Sequence, residues 1–443
     1  MRKLFIIFII GLYIPIINAQ TNSFTLDAAV FYALENNSAS KNASSDLKIA
    51  KAKKWETIAI GLPHISAFLE YSNNIKKPIS LVPAEFFGGN PGEFSEISFG
   101  TKQTFDGSAT LRQLLFSGSY TVGLMSIKLY LEIADTAKTK TDLEVKRNVI
   151  SAYGNVLVSE ERVKFLKENL KNVKRNLEEI QKIYENGLTE LENVEQLTIT
   201  HSSLKNSLEY AAKFGKTSRN ILKMIMGIPL KEKIVLLEGL HQLTLKKINL
   251  DAINQPVSLD QNIDYQIAFN AIRSQEALFK YEKSKSLPTL SAFISKTYTG
   301  NSESFSFLDS DQKWYGSSLM GVTMSIPIFT SLRRSAKSQQ AKIEVEKAQV
   351  SLKQTEQKIL VEIENAQTNY QFAINQYYNT IKNLELAKKI EKKNEIKFYE
   401  GLASSFDLRQ AQNQLYTIQN ELLQSMSEVI NRKTNLEIIL NEK

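Results

Sequence analysis

Few residues in this chain are spaced for chemistry, and each such group has a structural reading beside it. Ser404-x-x-Asp407 is the pattern of a capping box, in which a hydroxyl and a carboxylate satisfy the free amides that open a helix. Gly215-Lys216-Thr217 ends like a phosphate-binding loop. The first glycine of that motif would fall on Tyr210, in mid-helix, so the motif is rejected. His64, His201 and His241 have no metal-ligand spacing, and His201 lies on a helix seam where a packed histidine is expected. No Ser/His/Asp set or carboxylate pair stands out, and the chain has no Cys. The expectation is no catalysis, no metal and no cofactor. The formal charge of +8 over 443 residues is spread along helices as mixed Lys and Glu. That pattern marks a solvated face, and without a basic patch interleaved with aromatics nucleic acid is set aside as a partner.

The elements that must carry these residues come in two copies. Arg2 and Lys3, the apolar run Leu4–Ile17 and the small Ala19 read as a signal peptide over residues 1–19. No later stretch approaches 18 uninterrupted apolar residues, so the mature chain is expected to have no transmembrane helix. Phe24-Thr25-Leu26-Asp27 opens the first half and Val257-Ser258-Leu259-Asp260 the second. Leu62-Pro63-His64-Ile65 recurs as Leu287-Pro288-Thr289-Leu290, and Leu115-Phe116-Ser117 as Ile328-Phe329-Thr330. Tyr184-Glu185-Asn186-Gly187-Leu188 recurs as Tyr399-Glu400-Gly401-Leu402. The expected organisation is a first repeat over 20–227, an inter-repeat segment over 228–256 and a second repeat over 257–443. Each repeat runs helix, strand pair, very long helix, Gly turn, helix. Residues 76–108, rich in Pro, Gly and Phe, make the first repeat longer and read as an extended loop between strands.

The long helices are coiled-coil helices. Val145, Val149, Ala152, Val156, Ser159, Val163, Leu166, Leu170, Val173, Leu177, Ile180 and Tyr184 follow steps of four and three. Ile359, Ile363, Ala366, Tyr370, Ala373, Tyr377, Ile381, Leu384 and Ala387 make the matching seam. Such repeats imply left-handed supercoiling against neighbouring helices. Val194, Leu197, His201, Leu204, Leu208 and Ala211 in one half match Leu408, Ala411, Leu415, Ile418, Leu422 and Ser425 in the other. Each half is therefore a helical hairpin folded at Gly187 or Gly401. By periodicity alone this is also the pattern of a plain structural rod.

Four short segments alternate with period two: Ile65–Tyr71, Ala109–Leu115, Leu290–Ser295 and Val322–Ile328. Strands with one apolar and one polar face suit the wall of a membrane β-barrel, or a half-buried soluble sheet. Four strands cannot close a barrel, which takes about eight or more, and open edges cannot face lipid. The residues thus ask for an oligomer.

The order, spacing and duplication of these motifs resemble the TolC-type outer-membrane efflux factor family over residues 24–440. The resemblance rests on Phe24-Thr25-Leu26-Asp27-Ala28-Ala29 with Ala33-Leu34-Glu35-Asn36-Asn37, and on Leu62-Pro63. Ile326-Pro327-Ile328-Phe329 and Phe398-Tyr399-Glu400-Gly401-Leu402 complete it. It implies a mostly α fold with a small β part: long antiparallel coiled-coil hairpins in a trimeric α-barrel, and four strands per chain in a shared twelve-stranded transmembrane β-barrel. It implies a homotrimer in the outer membrane, in contact with its lipid and extending into the periplasm. Such a chain is the passive exit duct of a tripartite efflux or type I secretion system. Its partners would be a periplasmic adaptor (membrane fusion) protein and an inner-membrane pump of RND, ABC or MFS type. The alternative is a soluble periplasmic coiled-coil scaffold or adaptor. By the same resemblance Asp407 and Gln410 take the pore-constriction positions, where Gln410 lacks the family's charge. Gly187, Leu188, Gly401 and Leu402 take the adaptor contact at the periplasmic tip. The basic residue and carboxylate with which relatives hold the tip shut are replaced by Ala403 and Asn193, and many relatives carry a lipidated Cys that this chain does not have.

Overall fold

A computed structural model of the chain describes residues 22–251 and 258–441. The expected signal peptide (1–19) and the last residues of the inter-repeat segment lie outside them. The described residues divide into two compact units, and neither unit is a sequence half. One is built from residues 22–44, 138–263 and 357–441, the other from residues 45–137 and 264–356.

In the first unit a short strand, β1 (Asn22–Phe24), leads into α1 (Leu26–Asn36), whose first turn is capped by the Thr25 hydroxyl. The helix α2 (Ser38–Ala59) follows. The unit's hairpins come from α3 (Gly118–Glu185), from residue 138 on, with α4 (Leu191–Met226), and from α7 (Arg333–Tyr399), from residue 357 on, with α8 (Ser405–Ile439). Between α4 and the second repeat lie β6 (Ile234–Leu236), parallel to β1, and α5 (Leu240–Lys247). No Gly or Pro interrupts α7, which is why it runs unbroken for 67 residues. The seams face inward as their spacing requires. Val145, Val149, Ala152, Val156 and Val173 of α3 are buried, as are Ile359, Ile363, Ala366, Tyr370, Ala373 and Tyr377 of α7.

Buried tyrosines tie β1 and the inter-repeat segment to these helices. The Tyr153 hydroxyl donates to the Phe24 carbonyl at 3.1 Å. That of Tyr370 donates to the Lys247 carbonyl at 2.7 Å and accepts from the Asn249 amide at 2.8 Å. The Phe24 carbonyl also accepts from the Leu237 amide at 3.0 Å, so Tyr153 adds a second bond beside the β1–β6 pairing, while Tyr370 holds the chain where α5 ends.

The second unit holds the sheet. Strands β2 (His64–Asn73), β5 (Gln103–Ser117), β7 (Thr289–Ser302) and β8 (Trp314–Ser325) pair antiparallel in the order β2-β5-β7-β8. Two helices lead into it, α2 ahead of β2 and α6 (Ile263–Ser284) ahead of β7. Gln113 donates to the Gly61 carbonyl at 2.7 Å, and the Tyr120 hydroxyl donates to the Ile58 carbonyl at 3.2 Å. The segment 76–108, expected to be a loop, is more ordered than its composition implies. It contains a hairpin of β3 (Ile79–Pro83) and β4 (Phe94–Ser98) with a turn of 3-10 helix, Ala84–Phe87, between them, and β5 has begun by Gln103. The fourth expected strand begins and ends earlier than its alternation implies. β8 ends at Ser325, so Ile326 and Ile328 stand outside the ladder.

Candidate functional site

Two places in the fold carry features beyond packing: the tip, where both hairpins turn, and the sheet.

At the tip the two turns are built alike. Gly187 and Gly401 have φ of 70° and 72°, left-handed values that a side chain makes costly. The Gly187 amide donates to the Tyr184 carbonyl and the Leu188 amide to the Ile183 carbonyl, at 2.8 and 3.0 Å. The Gly401 and Leu402 amides do the same to Phe398 and Lys397, at 3.1 and 2.8 Å. These paired bonds are the Schellman arrangement that ends a helix. They place Leu188 and Leu402 outward, 78% and 73% exposed, one apolar side chain at each turn.

Asp407 lies just beyond the second turn. Its carboxylate accepts from the Ser404 amide at 2.9 Å and from the Ser404 hydroxyl at 2.7 Å. The Asp407 amide returns a bond to that hydroxyl at 3.2 Å, so the capping box is present in full. The Ser404 bonds hold the Asp407 carboxyl below its ordinary pKa. Asp407 and Gln410 are exposed and one helical turn apart, so they share a face of α8, beside the buried Leu408 and Ala411. Asn193 is engaged locally, its amide donating to the Thr189 hydroxyl at 2.8 Å.

Behind the turns is a polar cluster that motif reading missed. Glu395 of α7 is buried, yet Arg175 of α3 reaches it at 2.7 Å and Lys392 at 2.7 Å. Asn176, with its amide nitrogen turned to donate, reaches the same carboxylate at 3.2 Å and the Tyr399 hydroxyl at 3.0 Å. Burial pushes the Glu395 pKa up, but the bonds and charges of Lys392 and Arg175 outweigh it and hold the group below the carboxylate range. One turn earlier, Glu391 has no such pairing; burial and the Glu395 charge raise it. Asn169 donates to Gln419 at 2.7 Å, a second buried polar link between the hairpins. The available signal was spacing, since Glu391 and Glu395 continue the buried line of α7 from Ala387 to Phe398.

In the sheet, alternation divides the side chains between two faces. One carries Ile65, Ala67, Leu69 and Tyr71 of β2, Phe105, Ala109 and Leu111 of β5, Ile294 and Tyr298 of β7, and Met320, Val322 and Met324 of β8. The other is richer in polar residues: Ser66, Glu70, Thr104, Asp106, Thr110 and Arg112, then Ser295, Thr297, Thr299, Ser317, Thr323 and Ser325, with Phe68, Phe293, Tyr315 and Leu319 among them. Asp106 accepts from the Thr299 hydroxyl across the ladder on this polar face. At the far end of the apolar face Tyr71, Phe105 and Trp314 lie at one level across the strands. The ring of Phe307 packs within 6.0, 5.7 and 6.4 Å of them, centroid to centroid. Among the described residues the outer edges of β2 and β8 are unpaired. No helix among the described residues is long and apolar enough to cross a membrane.

Long helical hairpins joined to antiparallel strands with one apolar and one polar face define the fold of outer-membrane channels. The outer membrane protein VceC of Vibrio cholerae superposes with a TM-score of 0.70 at 16% identity, over 94% of this chain and 95% of that one. The channel-forming protein CusC gives 0.74 at 17%, over 94% and 91%. The CmeC outer membrane channel of Campylobacter jejuni gives 0.71 at 17%, over 94% and 85%. Sequence comparison with curated proteins gives no match. Residues 257–442 match the family model described as outer membrane efflux protein. The resemblance drawn from the motifs is borne out, as is the mostly helical fold with a small strand part.

Proposed function

We propose that the chain is the exit duct of a tripartite efflux or type I secretion system, a homotrimer in the outer membrane extending into the periplasm. The observation that carries this is the sheet. A four-stranded sheet with an apolar face, a polar face and two free edges is stable in lipid only when copies pair edge to edge into a closed wall. Three copies supply twelve strands, the apolar face turns to lipid and the polar face lines the passage. The family match over residues 257–442 and the channel fold support the same reading.

The remaining assignments follow from this reading. Residues 1–19 direct export. The two sequence repeats, 20–227 and 257–443, are joined by 228–256. Leu188 and Leu402, presented by Gly187 and Gly401, meet a periplasmic adaptor protein, which links the duct to an inner-membrane pump of RND, ABC or MFS type. Asp407 and Gln410 line the narrowest point of the passage, where threefold symmetry brings like charges together. The duct moves its cargo passively, without catalysis or cofactor, and takes no nucleic acid partner. Fractionation followed by native mass of the detergent-extracted protein tests the proposal. An outer-membrane trimer is the expected result, and a soluble periplasmic species, as a coiled-coil scaffold would be, overturns it.

A further inference from the structure

The apolar face of the sheet carries a charge. From the end nearest α2 and α6 outward, β7 gives this face Leu290, Ala292, Ile294, Lys296, Tyr298 and Gly300. Lys296 is exposed there, and no carboxylate shares its face. Glu70 and Asp106, paired with each other, lie on the opposite one. Among the described residues Lys296 makes no ion pair. Its ammonium instead lies 5.2 Å from the centre of the Tyr298 ring, one row further out.

The row around Lys296 is built from small residues. Ala67 of β2, Ala109 of β5 and Ser318 of β8 stand level with it. One row inward the wall is bulky again, with Ile65, Leu111, Ile294 and Met320. One row outward the Tyr298 ring lies over Gly316, where a Cβ would come within 3.1 Å of it. Beyond that is the level of Tyr71, Phe105 and Trp314 with Phe307 packed on them. The result is a shallow notch with a small-residue floor, an aromatic rim and one ammonium.

Depth matters for what fills it. Four residues separate Lys296 from Gly300; at ~3.4 Å each and a tilt of about 40°, that is about 10 Å, and the lysine stem covers roughly half of it. The ammonium therefore stands close to the aromatic row, which marks where hydrocarbon gives way to headgroups. A lysine on a wall facing lipid is costly unless its charge is met, and the chain offers nothing anionic on this face to meet it.

We propose that the notch binds an anionic lipid of the outer leaflet, its phosphate on the Lys296 ammonium and its acyl chains against the apolar rows inward of it. The inference rests on the exit-duct reading, which turns this face to lipid and puts the end away from α2 and α6 outermost. The surroundings favour a lipid over a free anion. The notch opens onto an apolar wall that continues inward to Leu290 for six residues, roughly 20 Å of strand, a surface for hydrocarbon and not for a hydrated ion.

Native mass spectrometry of the detergent-extracted trimer tests this, with dioleoyl phosphatidylglycerol titrated in one series and zwitterionic dioleoyl phosphatidylcholine in another. The parent protein is expected to hold one phosphatidylglycerol per copy and to prefer it about tenfold, the worth of one charge-assisted bond. Lys296→Gln should bring the two lipids level without changing the oligomeric mass. Ala109→Leu keeps the charge and fills the notch, so it should also remove the preference, whereas a lysine that only attracts anions at long range would not respond to it. A preference that survives either substitution overturns the proposal. So does displacement of the lipid by equimolar inorganic phosphate, which would make this a site for free anions. Those results leave the trimer, and with it the duct reading, standing. A parent protein that extracts as a non-oligomeric species overturns both.

Discussion

The Asp407 carboxylate already has work in a single chain, since it closes the capping box of α8. Asp407→Ala therefore tests two roles with separate readouts. Loss of the carboxylate from the capping box is expected to show as faster amide exchange in the first turn of α8. Loss of charge at the constriction is expected to raise single-channel conductance and relieve block by divalent cations. Asp407→Ser retains a capping oxygen and separates the two. At Glu395 the signs are worked out from its pairing. Its folded pKa is depressed, so its contribution is present above the unfolded value and is lost as pH falls through the folded one. Arg175→Met leaves burial opposed by Lys392 and the Asn176 amide, so it should raise the Glu395 pKa and destabilise the tip by about 1–2 kcal/mol near neutral pH. That figure lies below the range for a fully buried pair because the Arg175 side chain is 54% exposed. Thermal melts and carboxylate titration from pH 3 to 7 measure both effects. Tyr153 behaves in the opposite sense. Burial, then the charges of Glu238 and Glu160, push it from 10.0 to about 12, so its contribution is complete below pH 10 and disappears by about pH 12. The alkaline loss of stability should be shallower in Tyr153→Phe.

At the scale of elements, the two tip turns are equivalent in bonding, and their substitutions are expected to match. Gly187→Ala and Gly401→Ala each place a Cβ in left-handed backbone, at about 1–2 kcal/mol, and should fray the last turns of α3 and α7 in hydrogen exchange. Leu188→Asp and Leu402→Asp leave those bonds intact. They should abolish binding of the adaptor in a pull-down without changing the oligomeric mass. The seams, the Gly turns and the alternating strands were legible because each obeys a local period that burial reproduces. The Arg175–Glu395 and Asn169–Gln419 links were not legible by motif, since each joins residues more than 200 positions apart. The β3–β4 hairpin hid within a Pro- and Gly-rich stretch whose composition reads as loop. The end of β8 was misread for a different reason. Alternation reports what a strand is suited to, whereas the ladder with β7 ends at the Thr289–Ser325 pair, where β7 itself begins.

At the scale of the molecule, neither compact unit belongs to one half of the sequence. The first draws on three separate stretches of chain and the second on two. β1 pairs with β6 more than 200 residues later, and Asn262 donates to the Ile439 carbonyl at 2.8 Å. The order in which the chain is synthesised is therefore not the order in which it becomes ordered. When the first repeat has been made, both units still lack their second-repeat elements, so no stable intermediate resembling half the protein should accumulate. Folding waits for the last helix. Contacts so distant in sequence also make that step slow, because long loops must close before any of them is rewarded. Until then the growing polypeptide displays apolar seams and unpaired edges, and its survival depends on how quickly its final hundred or so residues arrive rather than on the strength of any contact made before them.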